Sequence, residues 1–235
     1  MNAIKERGTS RILLIENDAG FLSFADNTNM LNESFDFKVG EPVLVNCILQ
    51  KWGVKNKNGR IYPREILVSQ ALEYQKMVDA NCAVSEADHP ESSTISLQNI
   101  SHMITKMWWG EGDKENILYG QIKLIVSPGF IKYGIPTMIG DKIVVYLQNK
   151  IKLGISSRGV GSLKEIRGEN IVQSDFELIG FDLVSTPSTP GAYLFPVTTG
   201  GSSNVFNETY VKNDKGIYLN ENDIIGNSLD NFLLL

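Results

Sequence analysis

Gly154-Ile155-Ser156-Ser157-Arg158-Gly159-Val160-Gly161-Ser162-Leu163 sets two adjacent hydroxyls beside a cation, between glycines and directly after an apolar, strand-like segment. Acyl transfer is the chemistry such a stretch can carry. A serine hydroxyl is essentially never ionised at neutral pH, so it becomes a nucleophile only beside a base. The chain has 2 histidines, His89 and His102, and both are candidates for that base. His89 lies in the polar segment Glu86-Ala87-Asp88-His89-Pro90, where Pro90 restricts its backbone to extended conformations. Loops carry reactive groups more often than strands do, although a loop histidine is also ordinary surface. His102 alternates with Ile104 and Lys106, the pattern of a partly buried histidine on a sheet face.

A third group should orient the base. Asp182 interrupts the otherwise apolar strand Leu178-Ile179-Gly180-Phe181-Asp182-Leu183-Val184, and an acid there needs a partner or a function. It is the first choice for that role. His102 is the second, since one imidazole can hydrogen-bond another. Arg158 suits the stabilisation of an oxyanion, but pairing with a surface carboxylate would also account for it. The local pattern is not the G-x-S-x-G nucleophile elbow, because Arg158 stands where the second glycine belongs. A metal hydrolase is disfavoured: Glu86, Asp88 and His89 could ligate an ion, but no second histidine lies at ligand spacing. No metal and no cofactor are expected.

The elements that must position these groups follow from periodicity. Residues 42–50 form a nearly continuous apolar run, as in a strand buried on both faces. Asn58-Gly59 is a hairpin signal. Ile66, Leu67, Ala71, Leu72, Tyr74 and Val78 recur at helical spacing and predict a helix over 64–80. Residues 101–109 and 117–126 read as a hairpin, with Trp108 and Trp109 packing into a core or an interface. A second helix is expected over 138–151, with Gly140 weakening its first turn. Segments 153–157, 161–166, 170–173 and 176–186 are strand-like and broken by glycines. Residues 1–40 hold a short strand, from Arg11 to Glu16, and a polar arm. Residues 41–197 form the main domain, and 198–235, opening on Thr198-Thr199-Gly200-Gly201-Ser202-Ser203, form a flexible tail.

Composition narrows the classes. At 235 residues, 42% hydrophobic and 21% charged, the chain can bury one sizeable core. A net charge of -5 disfavours an electrostatic nucleic-acid binder, and no apolar run approaches a membrane span. Cys47 and Cys82 have apolar neighbours and are read as buried, reduced thiols of an intracellular protein.

Five segments together resemble the prohead core proteases of large contractile-tailed bacteriophages, which share their fold with the herpesvirus assemblins. Asn56-Lys57-Asn58-Gly59-Arg60-Ile61-Tyr62-Pro63 is similar to the family's segment before its first long helix. Glu86-Ala87-Asp88-His89-Pro90 resembles its G-E-L-x-H-P, with Ser85 in place of the glycine and Ala87 in place of the leucine. Met107-Trp108-Trp109, Gly154 to Leu163, and Asp182-Leu183-Val184 followed by Pro187-Ser188 complete the match, in the same order from about Val43 to Phe195.

The resemblance implies an α+β protein built on a mainly antiparallel, closed β-barrel of the assemblin type with a few surrounding helices. It implies a serine endopeptidase acting in the prohead interior, within the host cytoplasm, on scaffold and major capsid proteins. On this resemblance His89 is the base, Ser156 the nucleophile with Ser157 as competitor, and Asp182 the orienter with His102 second. Arg158 and Gly159 would hold the oxyanion or the substrate. A homo-oligomer is expected. Cleavage after glutamate in apolar-x-Glu sites, including the enzyme's own, is also implied. Ile4-Lys5-Glu6, Leu14-Ile15-Glu16, Leu31-Asn32-Glu33, Leu163-Lys164-Glu165 and Leu219-Asn220-Glu221 are such triplets, and Glu221 lies in the tail. The alternative is a catalytically inactive assembly protein of the same fold that binds scaffold.

Overall fold

The computed structural model describes residues 11–15, 35, 37 and 41–197, and the backbone of 210–212 and 218–220. In chain order its elements are β1 (Ile12–Ile15), β2 (Leu44–Lys51), β3 (Arg60–Ile61), α1 (Arg64–Asp79), β4 (Val84–Glu86), β5 (Ile100–Trp109) and β6 (Ile117–Leu124). There follow α2 (Pro128–Tyr133), α3 (Ile139–Gln148), β7 (Gly154–Gly161), β8 (Leu163–Ile166), β9 (Glu169–Val172) and β10 (Glu177–Val184). The short strands β11 (Leu194–Pro196), β12 (Tyr210–Lys212) and β13 (Tyr218–Asn220) close the order.

The strands fall into three sheets, with orders β1-β7-β10, β11-β2-β6-β5-β13-β12 with β4 also on β5, and β3-β9-β8. All pairings are antiparallel except β13 with β5 and β3 with β9. The expected α+β class with a mainly antiparallel framework is what the chain adopts. The closed barrel is not: among the described residues the ladders end at sheet edges rather than returning to the first strand.

Local sequence accounts for most elements. In β2, Val45, Cys47 and Leu49 enter the main core while Ile48 packs with Trp108 and Tyr119 on the opposite face, so the run is buried twice over. Burial pushes the Cys47 thiol up. In α1, Leu67, Ala71, Tyr74 and Val78 form one buried stripe at spacings of three and four. Tyr74 meets Phe181 of β10 edge-on at 5.3 Å, which fixes the helix over the strand that carries Asp182. Trp108 stacks on Tyr119 at 5.9 Å, as core packing requires.

Other expectations are corrected. Asn58-Gly59 does not close a hairpin; β3 leaves β2 and pairs with β9 instead. Asn56 Oδ1 caps that turn by accepting from the backbone N–H groups of Asn58 and Arg60. Cys82 is exposed, because it follows the end of α1 in a turn. The segments around Gly159 and Gly161 belong to one continuous strand, since both glycines lie against Phe176 rather than in turns. The helix α2 was not foreseen: six residues are too few for periodicity, although Ser127 caps it and Pro128 opens it. Gly140 admits α3 to the end of β6, where a Cβ would stand 1.9 Å from the Ile125 carbonyl oxygen.

Candidate active site

Alternation along β7 decides which groups share a face. In the antiparallel pair with β10, Ser156 stands opposite Asp182, Ser157 opposite Phe181, and Ile155 opposite Leu183. Directly opposed residues point to the same side of a sheet. Ser156, Arg158 and Asp182 therefore share one side. Ile155, Ser157, Phe181 and Leu183 share the other, and the three apolar members belong to the main core.

His89 reaches the first side from a neighbouring segment. Ala87 bridges Leu183 in parallel, and the Asp88 N–H donates to the Leu183 carbonyl at 2.8 Å. Asp88 then turns with a φ of 61°, a left-handed conformation that short polar side chains tolerate. The turn folds His89 back over β10, and its Nδ1 meets Asp182 Oδ2 at 2.8 Å. A carboxylate only accepts, so Nδ1 carries the proton and Nε2 of the neutral ring is left with its lone pair. Nε2 is buried with no hydrogen-bond partner among the described residues. This atom could take a proton from a serine.

Asp182 is held from three directions. The backbone N–H of Glu86 donates to Oδ1 at 3.1 Å. Arg158 Nη2 donates to the same oxygen at 3.2 Å, and Arg158 Nε lies 2.8 Å from Oδ2. That last contact is one of charge and proximity rather than a directed hydrogen bond. The unexplained acid in an apolar strand thus has its partners, a cation and an imidazole.

Arg158 is fully buried, and its remaining donors stay within the protein. Nη1 donates to the carbonyls of Ser92 at 2.8 Å and Thr94 at 3.5 Å, while Nη2 lies 3.6 Å from Glu86 Oε1. The guanidinium expected at the oxyanion thus contacts two carboxylates, Asp182 and Glu86, and the carbonyls of a loop. Gly159, the other residue expected at the oxyanion or the substrate, is within β7. It lies between Leu14 of β1 and Leu178 of β10, with the Phe176 ring against its Cα, so its lack of a side chain serves packing.

His102 does not touch His89. Its Nε2 donates to the Phe181 carbonyl at 2.8 Å and its Nδ1 accepts from Ser101 Oγ at 2.9 Å. Burial pushes it down to about 4, outweighing the Phe181 hydrogen bond, so it is a neutral clamp between β5 and β10. Ser85, the departure from the glycine of the similar motif, sits in β4 and accepts the Phe181 N–H at 3.0 Å. Ser157 Oγ accepts from Gln50 Nε2 at 2.8 Å, and Gln50 Oε1 accepts from Thr189 Oγ1 at 2.6 Å.

Sequence reasoning missed three members of this neighbourhood. Gln50 comes from β2 and Thr189 from the loop between β10 and β11, and no local pattern marks them. Glu86 was weighed only as a metal ligand. Its carboxylate takes the Ser96 N–H and faces Arg158, while Oε2 has no hydrogen-bond partner among the described residues. Lys57 lies in the turn before β3, and Arg60 is the first residue of that strand. No cluster of three potential metal ligands occurs among the described residues.

An aspartate, an imidazole whose Nε2 has no hydrogen-bond partner among the described residues and a strand serine are parts that a serine-type acyl-transfer site needs. The chain belongs to the prohead core protein serine protease family, whose model matches residues 23–204. The prohead core protein protease of Enterobacteria phage T4 is 30% identical over 189 residues, covering 78% of this chain and 84% of that protein. The solved structure of the bacteriophage T4 capsid assembly protease is similar with a TM-score of 0.58 at 27% identity, over 75% of this chain and 99% of that one.

Proposed function

We propose that the protein is a serine endopeptidase of head maturation, with Ser156 as nucleophile, His89 as general base and acid, and Asp182 as the group that orients His89. The observation that carries the assignment is the His89–Asp182 hydrogen bond on the sheet face that Ser156 shares. Ser156 Oγ attacks the substrate carbonyl and its proton passes to His89 Nε2. The imidazolium so formed faces Asp182, and the proton then leaves with the amine of the product. Ser157 is the less favoured nucleophile, because its hydroxyl lies on the core side and accepts from Gln50.

The substrates on this reading are scaffold and capsid proteins inside the prohead, in keeping with the names of the T4 relatives. Cleavage after glutamate in apolar-x-Glu segments, self-processing and assembly of several copies belong to the same proposal. Of the internal triplets, Leu163-Lys164-Glu165 lies in β8, while Glu6, Glu16, Glu33 and Glu221 lie outside the described residues.

A Leu-x-Glu peptide incubated with the wild type and with Ser156→Ala, Ser157→Ala and His89→Ala tests the assignment. Cleavage is expected to vanish in Ser156→Ala and His89→Ala and to persist in Ser157→Ala. Turnover that survives both of the first two changes overturns it. If the wild type leaves the peptide intact, labelling of Ser156 by a fluorophosphonate distinguishes a latent enzyme from an inactive assembly protein.

A further inference from the structure

Strand β7 has two edges, and β10 pairs along one of them from Gly154 to Val160. The other edge is shared. β1 covers it from Gly161 to Arg158, with Ile15 opposite Arg158. From the opposite end, the Ile155 N–H donates to the Ala192 carbonyl at 2.8 Å and Gly154 bridges Tyr193. Ser156 and Ser157 are the two residues of β7 between these partners. A strand running along the path of β1 and continuing in register would carry its next two residues past Ser157 and then Ser156.

We propose that this edge is the groove in which the substrate peptide docks as an added strand, and that residues 11–15 occupy it in cis. The inference rests on the reading that bond cleavage happens at the β7 serines. An exposed strand edge binds extended peptides through main-chain hydrogen bonds, with pockets for alternate side chains supplying selectivity. Both elements are present here. Leu14 is fully buried in a small apolar pocket of Tyr62, Leu67, Val172 and Phe176, separate from the main core, whereas Ile12 is largely exposed. The Ile15 carbonyl accepts from Arg60 Nη1 at 2.9 Å and from Asn58 Nδ2 at 3.3 Å. Those two donors come from the turn that Asn56 Oδ1 braces, and they grip a backbone atom that every peptide has.

The remaining anchor of β1 is peripheral. Arg11 reaches Glu177 at 3.1 Å and Asp175 at 3.8 Å, with all three side chains partly exposed, where such pairs contribute little. Besides the main-chain ladder with β7, one apolar side chain and one carbonyl hold β1, and a competing strand can offer all three. The ligand this groove takes is an extended peptide with an apolar residue at the place of Leu14, two positions ahead of the residue that faces Ser157. Occupation in cis lowers the apparent affinity for such a peptide by the fraction of molecules in which β1 is away.

The test uses the full chain carrying Leu14→Asp, with Leu14→Ala as the second variant should the first fail to fold by circular dichroism. A fluorescein-labelled peptide of residues 9–15 is titrated against each protein by anisotropy. Saturable binding to the variant, at least about tenfold weaker binding to the wild type, and loss of binding when the peptide's own Leu14 is changed to Asp are expected. The same peptide, unlabelled, should inhibit cleavage of the Leu-x-Glu substrate competitively, and the variant should show a lower KM with kcat little changed. No binding and no competition, with activity falling in step with stability, would mean that β1 is only structural and would overturn the proposal. Binding with neither cleavage nor fluorophosphonate labelling of Ser156 would sink the protease assignment of the serines while leaving the groove intact, so the two failures can be told apart.

Discussion

Ser156 stands directly across the β7–β10 pair from Asp182, and Asp182 in turn holds Nδ1 of His89 at 2.8 Å. The aspartate fixes which ring nitrogen carries the proton. Asp182→Asn offers an amide in place of a carboxylate, so the ring can adopt the wrong tautomer. The expected loss in kcat is about 10³-fold or more, with KM nearly unchanged, because the group acts through His89 rather than on substrate. Steady-state kinetics of the folded variant check this. A loss under about tenfold would remove Asp182 from the mechanism.

Much of this site could be read from residue types, and the unread part has a common cause. Asp182 announced itself as an acid in an apolar strand, and His89 as a histidine held beside a proline. The helix α1 and the β5–β6 hairpin followed from periods of 3.6 and 2. What stayed hidden depends on pairings between distant segments. Nothing near Arg11 or Ile15 tells that β1 lies against β7, and nothing near Gln50 tells that it meets Ser157 and Thr189. The glycines of β7 looked like breaks, since a glycine in a strand marks either a bend or a close approach. Only the position of Phe176 decides between those. The partners of Arg158 stayed hidden for the same reason: whether a cation serves substrate or scaffold depends on carboxylates that the fold brings to it.

Arg158 is the cation between two buried carboxylates, Glu86 and Asp182. Arg158→Met leaves both acids in the interior without it. Breaking a buried ionic network by removing one partner costs about 3–5 kcal/mol. Urea denaturation should show that loss, and Glu86→Gln added to Arg158→Met should recover part of it. The coupling between the two changes in a double-mutant cycle measures the pair. Purely additive effects would mean that the 3.6 Å approach of Nη2 to Glu86 carries no energy.

His102 supplies a pH dependence whose sign is fixed. Its ordinary value is 6.5 and burial lowers it to about 4, so between these limits the unfolded chain binds a proton that the folded protein refuses. Stability rises with pH wherever the unfolded state binds more protons. The contribution is fully present above pH 6.5 and is lost progressively as pH falls from there to about 4. Its size is on the order of 3 kcal/mol. Urea midpoints measured across that range should slope less in His102→Gln than in the wild type. Equal slopes would mean that His102 does not titrate in this window.

Asp141 governs the range below. Burial alone would raise its carboxyl, but hydrogen bonds from the backbone of Met138, Thr137 and Ser127 and from the Ser127 hydroxyl together hold it below the ordinary value. A depressed carboxylate contributes stability above its unfolded value, and that contribution disappears as pH falls through the folded one. Asp141→Asn should therefore destabilise the protein at neutral pH and converge with the wild type in acid. A gap that stays constant down to acid unfolding would point to lost hydrogen bonds alone.

Gly159 provides the sharpest packing test. A Cβ there would stand 2.3 Å from Cε2 of Phe176 and 2.6 Å from the Glu177 carbonyl oxygen. The ring could rotate away, but the backbone oxygen could not without shifting β10. Overpacking of this kind costs about 1–3 kcal/mol. Phe176 also lines the pocket that holds Leu14, so the displaced ring should loosen β1 as well as the strand beneath it. Hydrogen exchange at the β1 amides should therefore quicken in Gly159→Ala beyond what global destabilisation explains. Gly168 is the control. It has a φ of 81° with nothing within 4 Å of its Cβ position, so alanine there meets only backbone strain, on the order of 1 kcal/mol. Gly168→Ala should shift the urea midpoint without accelerating exchange in β1. Equal acceleration in both variants would mean that β1 responds to overall stability and not to the Phe176 ring.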